Sequence, residues 1–296
     1  MARIVVTGSS GLIGTALVAA LRERGDEVVR LVRSAPSAPD QVRWDPASRV
    51  LDPAVLDGAD GVVHLAGAGV GDKRWTPAYK HQILASRTDS TTAVAGAVAA
   101  ADHPVRLVSG SAVGFYGDRG DEELTEENPA GTGFLADVVM AWEAAAAPAV
   151  EAGASVAFAR TGIVMAREGG AMQPLLRLAR LGLGGPLGWG RQFWPWITLA
   201  DEVGALLHLL DHPEVTGPVN LAGPAPARQK DIAAALGRAL HRPAVLPAPS
   251  PALRLVVGEF AGEILGSQRI VGEALVASRY EHRHADLDTA CRWLVA

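Results

Sequence analysis

Short apolar runs alternate with longer amphipathic runs through the first 160 residues. The apolar runs are typical of buried strands, and the amphipathic runs carry apolar residues at helical spacing. The pattern predicts, in chain order, strand Arg3–Thr7, helix Leu12–Arg24, strand Glu27–Arg33, strand Gly61–Ala66, helix Pro77–Ala101, strand Val105–Ser109, helix Phe134–Glu151 and strand Ser155–Arg160. This alternation predicts an α/β fold, a Rossmann-like doubly wound parallel sheet with helices on both faces.

The pattern changes after about Gly169. Leu181 to Trp196 is rich in Gly, Trp and Pro and predicts a loop. Beyond it the sequence predicts helix Leu199–Leu210, strand Val219–Ala222, helix Lys230–Leu240, a proline-rich connector from Pro243 to Pro251 and a mainly helical remainder from Leu253 to Ala296. We expect residues 1–165 to form the sheet domain, to which elements at about 199–222 return. Residues 166–198 and 223–296 would form a smaller, mainly helical C-terminal lobe that binds substrate.

Three glycines lie where the first strand turns into the first helix, with the spacing G-x-x-G-x-x-G. One glycine permits the turn, one lets the backbone approach a pyrophosphate, and one lets the helix pack on the strand. The free N–H groups and the positive dipole of the helix start then hold the phosphates. The residues predicted to form this dinucleotide site are Gly8, Ser9, Ser10, Gly11, Leu12, Ile13 and Gly14. The alternative is an incidental tight turn.

The end of the second strand bears on the choice of cofactor. An acidic residue there binds the ribose hydroxyls of NAD, but this strand ends in Arg33 and Ser34. A guanidinium group suits the 2′-phosphate of NADP because it can donate two parallel hydrogen bonds. We therefore predict NADP(H) rather than NAD(H). The alternative is that Arg33 is a solvated arginine at a strand end.

Composition excludes several classes of protein. The chain has 296 residues, a net charge of −5 and a pI of about 5.9, which argue against a nucleic-acid partner. A single cysteine, Cys291, excludes an internal disulfide and fits a reducing compartment. No signal peptide is visible, and no apolar run reaches the roughly 18 residues that a membrane span needs. We expect a cytoplasmic protein with no membrane partner and no metal site.

Several motifs together resemble the extended short-chain dehydrogenase/reductase superfamily, with its NAD-dependent epimerase/dehydratase-like fold. They are T-G-x-x-G-x-I-G from Thr7, H-L-A-G from His64 and S-x-S-A-x-x-x-Y-G from Ser109. The chain most resembles the uncharacterised "epimerase family" (SulA-like) subgroup, which carries a C-terminal domain of unknown function. That subgroup is indicated by Arg74-Trp75-Thr76…Lys80…Ile83…Ser86-Arg87, Ser111 to Gly117, Phe134-Leu135-Ala136…Trp142-Glu143 and Gly184 to Gln192. The resemblance implies a nicotinamide-binding oxidoreductase or epimerase fold and a small-molecule substrate.

The catalytic residues of that superfamily are only partly present. Its reductases use a Ser or Thr, a Tyr, and a Lys four residues after the Tyr. None of the three tyrosines, Tyr79, Tyr116 and Tyr280, is followed by lysine at that spacing. Ser111 matches the superfamily serine and would polarise the substrate oxygen, while Tyr116 or Asp137 would supply the proton. Each has a plainer alternative: a loop serine, a packing tyrosine, and an aspartate favoured by the helix dipole.

Residues at strand ends and in the subgroup motifs complete the predicted site. The further cofactor-binding candidates are Leu65, Ala66, Gly67, Arg87, Ser109, Arg160 and Gly162. The substrate-binding candidates are Trp75, Lys80, Arg191, Gln192, Trp194 and Trp196. Lys80 and Arg87 lie seven apart on one helix face, where a solvated charged stripe is the alternative reading. The tryptophan-rich loop could equally be a hydrophobic cap.

Two hypotheses follow, and a third is weaker. The first is an NADP(H)-dependent atypical short-chain reductase or epimerase-like enzyme acting on a small carbonyl or sugar-like compound. The second is an NADP(H)-binding sensor or regulatory protein that has lost catalysis, which the missing Tyr and Lys favour. A sugar-nucleotide epimerase with tightly held NAD is disfavoured by Arg33. A homodimer is possible.

Overall fold

A computed structural model describes all residues from Met1 to Ala296. Seven parallel strands form the central sheet, in the order β3-β2-β1-β4-β5-β6-β7. They are β1 (Arg3–Thr7), β2 (Glu27–Val32), β3 (Gln41–Arg43), β4 (Gly61–His64), β5 (Arg106–Ala112), β6 (Val156–Thr161) and β7 (Gly217–Leu221). This topology confirms the predicted Rossmann-like doubly wound fold.

Helices cover both faces of the sheet. On one face lie α1 (Leu12–Glu23) and α6 (Leu199–Asp211), and on the other lie α2 (Pro77–Ala99) and α4 (Ala147–Glu151). Successive strand residues point to opposite faces, so Ile4 and Val6 pack into the core beneath α1 and α6, while Val5 packs beneath α2 and α4. Burial on both faces explains why the strands read as continuous apolar runs.

The remaining helices lie beside the carboxyl edge of the sheet and in the C-terminal part. They are α3 (Phe134–Ala144), α5 (Gln173–Arg180), α7 (Gln229–Leu240), α8 (Ser250–Val257), α9 (Ala261–Leu265), α10 (Glu273–Ala277) and α11 (Leu287–Val295). Three short strand pairs join Ile163–Met165 to Trp196–Thr198, Phe193–Trp194 to Ala227–Arg228, and Glu123–Leu124 to Arg269–Ile270. A separate core with Met172, Trp194 and Leu294 holds this part together. The predicted division into domains stays a proposal.

Four details differ from the sequence prediction. The helix predicted over Phe134–Glu151 is interrupted after Ala144, because Pro148 fits only the first turn of a new helix. Strand β3 is absent from the prediction, since two of its three residues are polar. The predicted loop Leu181–Trp196 contains short strands, and α8 begins within the predicted connector. No helix combines the length and the apolar character needed to cross a membrane.

Candidate functional site

The loop between β1 and α1 is packed backbone against backbone. Gly8 has φ +66°, and a Cβ there would lie 2.6 Å from the carbonyl of Leu65. A Cβ on Gly14 would lie 2.2 Å from the Gly8 oxygen. Gly11 closes the turn by donating its N–H to that same oxygen at 2.9 Å. Any side chain at Gly8 or Gly14 would therefore displace the loop or the helix.

The start of α1 is left without a side-chain cap. Its N-cap residue is Gly11, which has no side-chain oxygen, and no hydrogen bond within the protein uses the N–H groups of Leu12 and Ile13. Uncapped N–H groups and the helix dipole together favour an anion at this position. The structure thus gives the predicted pyrophosphate site the expected shape and polarity.

Two arginines without ion pairs lie at the far end of the same sheet edge. Arg33 follows β2 and is exposed, whereas the neighbouring Arg30 is bound to Asp40 through two hydrogen bonds of 2.7 Å. Arg43 ends β3, in register beside Val32, and is also exposed. Two free guanidinium groups on adjacent strand ends suit a phosphate monoester. The sequence predicts a role for Arg33 and gives no signal for Arg43.

Arg87 is a third cation without an acidic partner. Its Nη1 donates to the carbonyl oxygens of Ala68 at 2.9 Å and Ile83 at 3.1 Å, and its guanidinium carbon lies 5.0 Å from the ring centre of Trp142. Burial lowers the pKa of Arg87 to about 10, so it remains charged at neutral pH. Gly67 leaves room for this group, since a Cβ there would lie 3.3 Å from it. A largely buried charge with no counter-ion favours an anionic ligand.

A buried histidine anchors the loop after β4. The Thr7 hydroxyl accepts hydrogen bonds from the N–H groups of Leu65 at 3.0 Å and Ala66 at 3.1 Å. Both lone pairs are then used, so Thr7 must donate its proton to His64 Nδ1 at 2.7 Å. His64 is therefore protonated on Nε2 alone, which donates to Thr91 at 3.0 Å. Burial lowers the pKa of His64 to about 3 and keeps the ring neutral.

Ser111 belongs to a buried hydrogen-bond network. Its hydroxyl donates to Glu143 Oε1 at 2.6 Å, and Arg160 donates to both oxygens of Glu143 at 2.8 Å. Arg160 also donates to the Tyr116 hydroxyl at 2.9 Å, and Tyr116 donates to Asn220 at 2.8 Å. The Ser111 proton is thus held by Glu143, so Ser111 is an acceptor here. Sequence reasoning missed Glu143, although it ends one of the subgroup motifs.

This network changes the roles predicted for Tyr116 and Arg160. Tyr116 is completely buried, and its hydroxyl donates a hydrogen bond to Asn220. It therefore does not reach a substrate as the predicted acid. The Arg160 guanidinium is used by Glu143 and Tyr116 and lies 3.5 Å from the Phe115 ring centre. It does not extend to a cofactor as predicted. Both side chains instead fix the loop after β5 against β6.

Asp137 lies on the wrong side of its helix for the predicted acid. It is exposed, and it follows Leu135 by two residues, which is about 200° around α3. Leu135 and Val139 face the loop after β5, where they contact the position of a Cβ on Gly114 at 3.3 and 4.0 Å. The helix therefore presents apolar groups to the site.

Two predicted cofactor residues have structural explanations. A Cβ on Gly162 would lie 2.2 Å from the Pro195 oxygen, so the glycine makes room for that backbone and not for a nicotinamide. Ser109 is completely buried, and its hydroxyl donates to the Gly110 carbonyl at 3.3 Å. The Ser109 side chain is therefore closed to a ligand.

The predicted substrate residues divide into three groups. Gln192, Trp194 and Trp196 are buried, and their N–H groups donate to the carbonyls of Leu187, Ile264 and Ala225 at 3.0 to 3.1 Å. They form the interior of the C-terminal part and do not contact substrate as predicted. Arg191 is exposed and carries no ion pair.

Trp75 and Lys80 join the loop after β4 to the C-terminal part. The Trp75 ring packs against Phe134 at 4.9 Å and Phe260 at 5.4 Å between ring centres. Lys80 forms an ion pair with Glu259 and lies over the Trp75 ring. Residues 259 and 260 thereby tie the C-terminal part to the loop after β4 and the start of α2.

A buried carboxyl group lies below the carboxyl end of β6. Thr161 ends this strand and is half-buried, and its hydroxyl donates to Glu202 Oε1 at 2.7 Å. Glu202 is completely buried, and its Oε2 has no hydrogen-bond partner. Burial raises the pKa of Glu202 to about 8, so the group is mostly protonated at neutral pH. Sequence reasoning missed it, because an acid in the first turn of a helix is ordinarily exposed.

His64 and Glu202 predict opposite effects of pH on stability. Folding disfavours the protonated form of His64, so His64 lowers stability as pH falls below 6.5 towards 3. Folding disfavours the ionised form of Glu202, so Glu202 raises stability as pH falls from 8 towards 4.5. Between pH 7 and 4.5 each effect is worth roughly 2 to 3 kcal/mol, and the two largely offset in the wild type.

Urea unfolding at the two pH values separates these effects. Relative to the wild type, Glu202→Gln should lose about 2 to 3 kcal/mol of unfolding free energy on going from pH 7 to 4.5, whereas His64→Gln should gain a similar amount. Comparison at each pH removes the constant cost of each substitution. Parallel pH profiles for either variant and the wild type would contradict that residue's assigned protonation state.

The chain is similar to known proteins over almost its whole length. A model of the NAD dependent epimerase/dehydratase family matches residues 4–222, and a domain of unknown function, DUF1731, matches residues 248–294. Epimerase family protein Mb2239 of Mycobacterium bovis is 42% identical over 288 residues, covering 97% of this chain and 95% of that protein. Mouse epimerase family protein SDR39U1 is 38% identical over 301 residues, covering 99% of this chain and all of that protein. The crystal structure of human epimerase family protein SDR39U1 (isoform 2) with NADPH is similar with a TM-score of 0.91 at 33% identity, covering 99% of each chain.

Proposed function

The chain belongs to the NAD dependent epimerase/dehydratase family, and on this premise we propose that it is an NADP(H)-binding atypical short-chain reductase acting on a small carbonyl compound. The observation that carries the proposal is the charge along the carboxyl edge of the sheet. Arg33, Arg43 and Arg87 have no acidic partners there, and α1 begins without a cap between them. The human relative crystallised with NADPH supports the choice of cofactor.

Each of these groups matches one part of NADP(H). The N–H groups of Leu12 and Ile13 would donate hydrogen bonds to the pyrophosphate. Arg33 and Arg43 would bind the 2′-phosphate. The charge of Arg87 would face the phosphates or an acidic substrate. When bound, the nicotinamide supplies the hydride that a carbonyl carbon accepts.

The Thr161 hydroxyl is the proposed proton donor in place of the missing tyrosine. It lies at the carboxyl end of β6. When Glu202 is protonated, its carboxyl group can donate to the Thr161 hydroxyl, which frees the Thr161 proton for the substrate and replaces it from Glu202. Reduction would then leave an alcohol and a Glu202 carboxylate, which solvent reprotonates after product release. A carboxyl group with a pKa near the working pH is suited to this task. Ser111, whose proton is held by Glu143, would accept a hydrogen bond from a hydroxyl group of the substrate and would not polarise the carbonyl oxygen as predicted.

A second candidate function is an NADP(H) sensor without turnover. The specific observation in its favour is that Leu135 and Val139 present apolar groups on the helix beside Ser111. Such a protein would bind NADPH tightly and leave it unchanged. A sugar-nucleotide epimerase with tightly held NAD is a weaker candidate, because Arg33 occupies the position of a ribose-binding acid.

Oxidation of NADPH with a panel of carbonyl compounds tests the proposal. We expect turnover with at least one compound, and a loss of about 100-fold or more in kcat for Thr161→Val, since general acids contribute at least that much. Thr161→Ser retains the hydroxyl and should retain most activity. With Glu202 as the proton source, activity should fall as pH rises above about 8; Glu202→Gln should lower kcat, and its remaining activity should not show that fall.

Two outcomes would overturn this assignment. NADPH binding without oxidation across the panel would favour the sensor. Purification with NAD that dialysis does not remove would favour the epimerase. Full activity of Thr161→Val would exclude the proposed donor while leaving the reductase in place.

A further inference from the structure

Exposed apolar side chains are concentrated in the C-terminal part of the chain. Thirteen large apolar residues are exposed, and eight of them fall within three short segments. These eight are Leu178, Leu181, Leu183, Trp189, Val245, Leu246, Leu255 and Val256. Single exposed apolar residues need no explanation, but a cluster of them marks an interaction site.

Two of these segments lie side by side. Leu246 donates its N–H to the Gly184 oxygen at 3.2 Å, and Gly188 donates to the Ala248 oxygen at 2.8 Å. The exposed Leu178, Leu183 and Leu246 also line one apolar groove between α5 and α7. We call the surface formed by Leu178, Leu181, Leu183, Val245 and Leu246 the lobe face.

The chain segments that form the lobe face carry charges of one sign. No Asp or Glu occurs between Glu168 and Asp201, or between Asp231 and Glu259. The charged residues within those two segments are Arg177, Arg180, Arg191, Arg238, Arg242 and Arg254, all of them exposed. Only Arg238 among them has a carboxylate partner, Asp288. In a chain with a net charge of −5, this is a local concentration of positive charge.

We propose that the lobe face docks on the surface of an anionic lipid bilayer. Exposed leucines would enter the interface between headgroups and acyl chains, and the arginines would bind lipid phosphates. Trp189 is exposed between two glycines of positive φ. The amphipathic ring of tryptophan favours the boundary between lipid headgroups and acyl chains. A symmetric dimer through the same face would place arginines against arginines and is disfavoured by charge.

Docking of this kind binds one face of the bilayer and does not involve a membrane span. It differs from the sequence expectation of no membrane partner, which was based only on the length of apolar runs. The lobe face is assembled from α5, the loop after it and the loop after α7. No single run in the sequence reaches the length of a span.

Flotation with lipid vesicles tests this inference. The protein should float with vesicles of phosphatidylglycerol and phosphatidylcholine in equal parts, and at least about tenfold less with pure phosphatidylcholine. Leu181→Ser/Leu246→Ser and Arg177→Glu/Arg180→Glu should each reduce binding to the anionic vesicles by about tenfold or more. Trp189→Phe should lose a blue shift in tryptophan emission that vesicles cause in the wild type.

Matched controls use exposed residues elsewhere. Val276→Ser removes an equally exposed apolar side chain, and Arg292→Glu reverses an exposed charge on α11. Both should bind like the wild type, and every variant should retain NADPH affinity as evidence of folding. Equal binding of lobe-face and control variants would overturn the proposal, as would absence of binding to anionic vesicles. If the wild type and the controls are dimers and only the lobe-face variants are monomers, the surface would be assigned to a second copy of the chain instead.

Discussion

Replacing both Arg33 and Arg43 with alanine should raise the Kd for NADPH by about 100-fold or more and leave the Kd for NADH unchanged. Each guanidinium is free and exposed at the end of neighbouring strands. A hydrogen bond between charged groups contributes about 1.5 to 3 kcal/mol, so two arginines on one phosphate are expected to be worth at least two powers of ten. NADH lacks that phosphate, so its Kd depends only on the rest of the site.

Nicotinamide fluorescence titration measures both constants. The single variants should each lose about tenfold or more in NADPH affinity, and Arg292→Ala, which removes an exposed arginine on α11, should lose none. A double variant that loses affinity for NADPH and for NADH equally would show that the arginines stabilise the loop and do not bind the 2′-phosphate. An unchanged double variant would place the 2′-phosphate elsewhere.

Glu143→Ala should lower the free energy of unfolding by about 3 to 5 kcal/mol, the cost of leaving a buried charge unpaired. Only 4% of the Arg160 side chain and 13% of the Glu143 side chain is exposed, and Arg160 donates to Glu143 through both Nε and Nη2. The substitution also leaves the Ser111 hydroxyl without its acceptor. Chemical denaturation at pH 7 measures the loss.

Two further variants separate the charge effect from packing. Glu27→Ala removes an exposed ion pair with Arg3 and should cost less than about 1 kcal/mol. Glu143→Leu/Arg160→Met removes both buried charges and should recover much of the stability lost by Glu143→Ala. A loss in Glu143→Ala no larger than that in Glu27→Ala would contradict the buried ion pair.

Much of the fold could be predicted from the sequence, because its signals are local. The strands buried on two faces read as apolar runs, and Gly8 and Gly14 fall where only glycine fits between the turn and the helix. Strand β3 and Arg43 could not be predicted in this way. Three residues carry little hydrophobic pattern, and the place of Arg43 depends on its register beside Val32.

The side-chain chemistry was harder to predict, because it depends on contacts between distant residues. Glu143 and Glu202 acquire their importance from Arg160 and Thr161, which lie 17 and 41 residues away. The roles predicted for Tyr116 and Trp194 fail for the opposite reason. Each polar group finds a partner in the interior, Asn220 and the Ile264 carbonyl, so the side chain is buried where the sequence indicated a ligand.

Titration of the wild-type protein with NADPH and with NADH, followed by nicotinamide fluorescence, tests the central claim most directly. The account predicts saturable binding of NADPH, with an affinity at least about tenfold higher than for NADH, because the free arginines at the ends of β2 and β3 bind the phosphate that NADH lacks. Equal affinities, or a preference for NADH, would contradict the assigned role of Arg33 and Arg43. Failure to bind either dinucleotide would contradict the reductase and the sensor together.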